Sequence, residues 1–311
     1  MRHHRKLVLG ASLLAFAVLT AACGDDSGGG GTPTTTADIE RGTVVVGVSG
    51  AFAESQLVAE MYAQVLEDAG YTVERQLDLD SREVGDAALA SGDIDVKPEY
   101  LAFELPKLDP DADTEGTAEE VFPRVQAAAE AKDLTALEFS PANSTNVFVM
   151  LPDRATELDV ATMSDLGPVS GDLVLGAPPD CDTNYPCKEG LKEVYGIEFK
   201  EIKKLDFGGP QTVAAIDSGA VDVGELFSLD PTITNKGYTV LEDDKSLEPA
   251  GNFFALARTE ILNGEIEELL NSVTTSLTTE GMLELVGRVQ VDQEDVADVA
   301  TDYLTQQGLL G

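Results

Sequence analysis

Residues 88–100, ALASGDIDVKPEY, return at 215–227 as AIDSGAVDVGELF, with five of thirteen positions identical and Leu/Ile, Ile/Val and Tyr/Phe exchanges in kind. Each copy reads as the end of a helix, a Ser-Gly pair that turns the chain through the left-handed region, and a short β-branched strand that finishes on an aromatic ring. Tyr100 and Phe227 are thereby placed at the carboxyl ends of two strands, which is where open α/β sheets receive ligands. Two further blocks echo in the same order: VVVG at 44–47 with LVLG at 173–176, and LDL at 77–79 with LDF at 205–207. Ser-Gly and strand-Gly are common punctuation in α/β chains, so it is the shared order of three echoes that carries the reading. The pattern predicts two similar α/β lobes whose half-sites face one cleft.

A chain of 311 residues with 43% apolar content can build two cores of ordinary size. Its 57 Asp and Glu against 20 Lys and Arg give a net charge of -37, a field that repels nucleic-acid phosphates and excludes nucleic acid as a partner. At the amino end, Arg2, Arg5 and Lys6 precede an apolar run over 7–20 that is short for a membrane span, followed at once by Thr20-Ala21-Ala22-Cys23. Residues 1–22 are read as an export signal. Gly24 to Ala37, rich in Gly and Thr, reads as part of a flexible tether over 23–41 with a coil reach of roughly 20 to 25 Å.

Three cysteines are present, and both histidines, His3 and His4, lie in the expected leader. The mature chain then has no His, which removes Ser-His and Cys-His nucleophiles and the commonest general base. An exported protein meets oxidising conditions, so Cys181 and Cys187 are expected to pair; a two-Cys metal site is the rival and lacks further soft ligands. No metal and no cofactor is expected. Glu54, Glu99 and Asp230 are the carboxylates an enzyme on such a scaffold could pair, but in so acidic a chain they read as solvated surface, and no enzyme is expected.

Taken in order, residues 43–48 read as a buried strand. Leu57 to Leu66 follow at helical spacing, 71–79 as a second strand, and Ser81 as the N-cap of a helix reaching Ala90. Gly209-Pro210 opens the matching helix of the second lobe, so each lobe aims a helix amino terminus at the proposed cleft. Residues 105–117 read as a surface excursion, 118–131 as a surface helix, and the polar run 140–146 as the first crossing between lobes. Strands follow at 147–151, 173–177 and 199–205, a further strand ends at Phe227, and another runs over 238–241. Pro249 to Asn252 form the return crossing, after which residues 253–257 rejoin lobe 1. The expected lobes are 42–146 with 251–311, and 147–250.

Phe52-Ala53-Glu54-Ser55-Gln56-Leu57, Asp80-Ser81-Arg82-Glu83, Pro98-Glu99-Tyr100 and Gly176-Ala177-Pro178-Pro179 together resemble the substrate-binding lipoproteins of ABC importers for glycine betaine, choline and related osmoprotectants. The resemblance implies a two-lobed type II periplasmic-binding-protein fold, two α/β domains joined by two hinge crossings that close on a small quaternary-ammonium or zwitterionic ligand. It implies an ABC permease and its ATPase as partners. The small residues before Cys23 resemble a bacterial lipobox, which implies an acylated Cys23 and anchoring to the outer face of the cell membrane. A trimethylammonium group donates no hydrogen bond, so aromatic faces hold it. Tyr100 matches the family's cage position, with Phe227 as its counterpart across the cleft. The candidate ligand-binding set is Phe52, Glu54, Ser81, Arg82, Tyr100, Asn143, Asn146, Tyr185, Phe227, Ser228 and Asp230. A lipoprotein without a transport role, binding another polar ligand or a protein partner, is the alternative.

Overall fold

The computed structural model describes residues 41–50, 52–179, 181–182, 185–206 and 208–311. The expected leader, all but the last residue of the tether, and Cys23 lie outside them. The first part of the chain runs β1 (Thr43–Ser49), α1 (Ala53–Asp68), β2 (Thr72–Leu79), α2 (Arg82–Ser91), β3 (Val96–Tyr100), α3 (Leu101–Leu108), α4 (Ala118–Glu130) and β4 (Leu134–Asn143). It continues with β5 (Asn146–Met150), α5 (Pro152–Leu158), α6 (Met163–Leu166), β6 (Val174–Ala177), α7 (Glu189–Tyr195), β7 (Glu201–Lys204), α8 (Pro210–Asp217), β8 (Val223–Phe227), α9 (Pro231–Lys236) and β9 (Thr239–Val240). Finally β10 (Asn252–Arg258) leads into α10 (Gly264–Ser276), α11 (Thr279–Gln290) and α12 (Val296–Gln307).

The strands form two five-stranded sheets, β2-β1-β3-β10-β4 and β7-β6-β8-β5-β9. In each, two parallel neighbours stand beside the third strand, and the fourth pairs with it antiparallel. β3 and β8, the strands of the repeated stretch, occupy the same central place. The repeat extends to side chains. Asp95 accepts from the Val45 amide at 2.9 Å and pairs with Arg258 at 3.2 Å; Asp222 accepts from the Val174 amide at 2.9 Å and pairs with Arg154 at 3.1 Å. The preceding glycines, Gly92 and Gly219, have φ of 84° and 67°, a left-handed geometry that glycine adopts without a Cβ penalty.

Both faces of each sheet are covered, and the strands alternate accordingly. Along β10, Phe253, Ala255 and Ala257 enter the core beneath α1, α10, α11 and α12, while Phe254 and Leu256 enter the core beneath α3 and α4. Along β5, Phe148 and Met150 face one core of the second sheet and Val149 the other. Cys181 and Cys187 are disulfide-bonded and buried in the first of these.

Two expectations need correction. Residues 105–117 do not begin as a surface excursion, because Leu105 and Leu108 are buried in α3. Pro106 and the Asp-rich run after it read as a helix stop, yet the apolar spacing of Leu101, Leu105 and Leu108 holds the short helix against α4. The run 140–146 is also not irregular throughout. β4 continues to Asn143 because Asn252 and Ser140 complete its pairing with β10, through Asn252 Nδ2 donating to the Ser140 carbonyl and the Phe253 amide donating to Ser140 Oγ. Only Ser144 and Thr145 separate β4 from β5.

At the return segment, Gly251 accepts from the Ser144 amide at 2.9 Å, and a Cβ on Gly251 would lie 1.9 Å from the Ser144 carbonyl oxygen. Gly251→Ala therefore forces two backbones apart. We expect it to destabilise the fold by about 1 to 3 kcal/mol, read as a lower urea midpoint; an unchanged midpoint contradicts the close approach. Reduction of the denatured protein should expose two additional thiols per chain. Cys181→Ser should cost about 2 kcal/mol, since so short a loop removes little unfolded-state entropy.

Candidate functional site

A cavity of about 340 Å³ lies at the carboxyl ends of β1 and β3. Its walls come from the end of β1 (Val48, Ser49), the start of α1 (Phe52, Glu54, Ser55), the start of α2 (Asp80, Ser81, Arg82), the end of β3 through Tyr100, Phe103 of α3, the segment Ser144 to Asn146, and Phe227 at the end of β8. Ser81 caps α2 as expected, accepting from the Val84 amide at 3.3 Å. Two helices thus direct their amino termini at the cavity, and the second sheet contributes the opposite wall through β5 and β8.

Beneath the cavity, β3 carries a buried charge cluster. Lys97, 2% exposed, places its ammonium 3.1 Å from Glu99, 3.6 Å from Glu104 and in contact with Asp86. Burial opposes its charge, but Glu99, Glu104 and Asp86 together hold Lys97 above the usual lysine range. Burial, reinforced by Glu99, pushes the Glu104 carboxyl up to about 8. Glu99 reaches out of the cluster to Arg82, whose Nε lies 3.2 Å away. Glu54, 8% exposed, is held above the usual carboxylate range by burial, against hydrogen bonds from Ser144 and Tyr100 at 3.4 Å each. Glu54 and Glu99 are therefore not solvated surface, as a reading of the acidic composition implies; Glu54 is buried against Tyr100 and Ser144, 46 and 90 residues away, and Glu99 against Lys97 and Arg82.

Tyr100 is placed differently from the expected free face. It is 6% exposed. Its hydroxyl lies 2.7 Å from Ser55 Oγ, its ring is tilted on Phe253 at 4.8 Å between centroids and edge-on to Phe103 at 6.1 Å, and the Arg82 guanidinium stands 5.5 Å from its centroid. The rings that open to the cavity are Phe52, 42% exposed, with Phe103 and Phe227 half-buried. Phe103 was not among the expected residues; its spacing of three from Tyr100 would point it to the same side once α3 is known to be helical.

Of the expected set, the structure brings Phe52, Glu54, Ser81, Arg82, Tyr100, Asn146 and Phe227 to this cavity. Four lie elsewhere. Asn143 lines a separate cavity of about 300 Å³ together with Asn146, Tyr195 and Glu248. Ser228 fastens the chain crossing, accepting from the Thr145 amide and donating to the Asn143 carbonyl, each at 3.1 Å. Asp230 caps α9 through the Thr232 amide, which also removes it as a partner for Glu54 or Glu99. Tyr185 is exposed and donates to Glu193.

Lys97→Met should leave Asp86, Glu99 and Glu104 without their shared cation and destabilise the fold by about 3 to 5 kcal/mol, measured by urea unfolding; a loss under ~1 kcal/mol contradicts a charge-holding role. Glu104 ionises near 4.5 when exposed and near 8 in the fold. Between those values the folded chain holds the extra proton, so stability falls as pH rises from about 5 to about 8. Glu104→Gln should flatten that slope; an unaltered slope contradicts the assignment.

Residues 42–306 match the family model for the substrate binding domain of the ABC-type glycine betaine transport system. The chain is 27% identical over 275 residues to the carnitine transport binding protein of Listeria monocytogenes, covering 85% of this chain and 86% of that one. It is equally 27% identical over 272 residues to a glycine-betaine-binding protein of Pseudomonas aeruginosa, covering 83% and 86%. Its fold superposes on a crystal structure described as a glycine betaine/carnitine/choline ABC transporter with a TM-score of 0.74, at 23% identity, over 87% of this chain and 99% of that chain.

Proposed function

We propose, since this chain belongs to the family of substrate-binding domains of ABC-type glycine betaine transport systems, that its cavity takes a small quaternary-ammonium zwitterion such as glycine betaine or carnitine for import. The family is a transport family working outside the cytoplasm. The observation that carries the ligand reading is the cavity itself: rings of Phe52 and Phe227 beside the carboxylates of Glu54 and Asp80. Each ring face contributes about 0.5 to 2 kcal/mol toward a trimethylammonium group, which forms no hydrogen bond and gains from exchanging water for π-faces.

Binding then couples to motion. Ser144 and Thr145 on one crossing, and Pro249 to Gly251 on the other, are the segments that absorb a rotation of lobe 147–250 against lobe 42–146 with 251–311. A ligand touching Phe52 on one side and Phe227 on the other stabilises the closed arrangement by its differential contacts. A permease with its ATPase receives the ligand. An acylated Cys23 anchors the receptor to the outer face of the cell membrane.

Calorimetry with glycine betaine, carnitine, choline and an uncharged polyol tests the reading. A quaternary amine should bind, and Phe227→Ala should weaken it by about five- to thirty-fold. No binding of any quaternary amine at millimolar concentration, or tighter binding of the polyol, contradicts it.

A further inference from the structure

We infer that Arg82 determines which quaternary amines the cavity accepts: it occupies the Tyr100 and Phe103 ring faces as an internal cation and offers its free guanidinium edge to a ligand carboxylate. The inference rests on the ligand reading above. The Arg82 Cζ lies 5.5 Å from the Tyr100 centroid and 6.0 Å from that of Phe103, both at cation–π range. A ligand ammonium therefore finds these two faces already engaged by a positive charge.

The guanidinium is fixed from one side. Its Nε stands 3.2 Å from Glu99, and Glu99 is itself held by Lys97 at 3.1 Å, which contacts Asp86 and Glu104. Four buried or half-buried groups thus set where Arg82 sits. Its other edge is uncommitted: among the described residues, Nη1 and Nη2 donate no hydrogen bond, and Arg82 lines the cavity with a quarter of its side chain exposed. Guanidinium edges of this kind match a carboxylate with two parallel hydrogen bonds.

Two ligand classes meet this arrangement differently. A quaternary amine that carries a carboxylate neutralises Arg82 and leaves its trimethylammonium for Phe52 and Phe227, across the cavity. A quaternary amine that ends in a hydroxyl brings a second positive charge toward Arg82 with no carboxylate of its own to offset it. The same residue that attracts one class repels the other.

Glycine betaine, with a carboxylate, and choline, with a hydroxyl, are the probes, titrated calorimetrically into the wild-type protein and into Arg82→Met and Arg82→Lys. Wild type should prefer glycine betaine by about tenfold or more. Arg82→Met should lose about tenfold for glycine betaine while choline affinity holds or rises, reversing the preference; Arg82→Lys, which keeps charge without the fork, should fall between. Thermal melts of both variants separate this from misfolding, and Arg82→Lys carries the test if Arg82→Met does not fold. An equal loss for both ligands assigns Arg82 a structural role and overturns the inference, as does an unchanged preference. Wild type that binds neither probe overturns the ligand reading itself.

Discussion

The Lys97 ammonium, buried among Asp86, Glu99 and Glu104, is the contact on which the site depends. Burying an ion costs several kcal/mol, recovered only when the partners are close and complete. Here the partners come from three elements: Asp86 from α2, Glu104 from α3, Glu99 from β3 itself. One side chain thereby pins the two helices that frame the cavity to the strand between them. Glu99 passes the constraint outward to Arg82, and the next residue, Tyr100, anchors the start of α1 through Ser55 and Glu54. Ring positions and charge positions at the cavity are set by the same strand.

The two lobes share scaffold and divide chemistry. Asp95 and Asp222 make matching bonds to a neighbouring strand and to an arginine, so the repeated stretch preserves the turn into β3 and β8. Past that turn the copies diverge. Where β3 has Lys97, β8 has Gly224, and a Cβ there would lie 2.3 Å from Ile216. The second lobe has no room for an ion at that place and packs α8 against the strand instead. The first lobe carries a buried ammonium at this place, and the second presents Phe227 as a wall.

This division explains what was legible beforehand. Local signals carried the strands: the Ser81 cap, the left-handed Gly92 and Gly219, and the repeat that put Tyr100 and Phe227 at strand ends are all short-range patterns that tertiary contacts left intact. Phe52 and Arg82 could be picked out because they stand in segments that resemble the family, and Phe227 because the repeat puts it at a strand end. Burial of charge could not be read, since Lys97 is made tolerable by Asp86 and Glu99, and Glu54 by Ser144, ninety residues away. Composition alone makes every such carboxylate look solvated. α3 was hidden by Pro106, Phe103 with it, and Asp230 and Ser228 were polar for structural reasons, a local cap and a long-range strap, that resemble a binding role until their partners are seen.

The most direct measurement is a crystal structure of the protein grown with glycine betaine. The account predicts one molecule in the 340 Å³ cavity, its trimethylammonium group against Phe52 and Phe227 and its carboxylate on the Nη edge of Arg82, with Arg82 still over Tyr100. A ligand with the opposite orientation, with its ammonium on Tyr100 and Arg82 swung away, would contradict it. So would density only in the separate cavity beside Glu248.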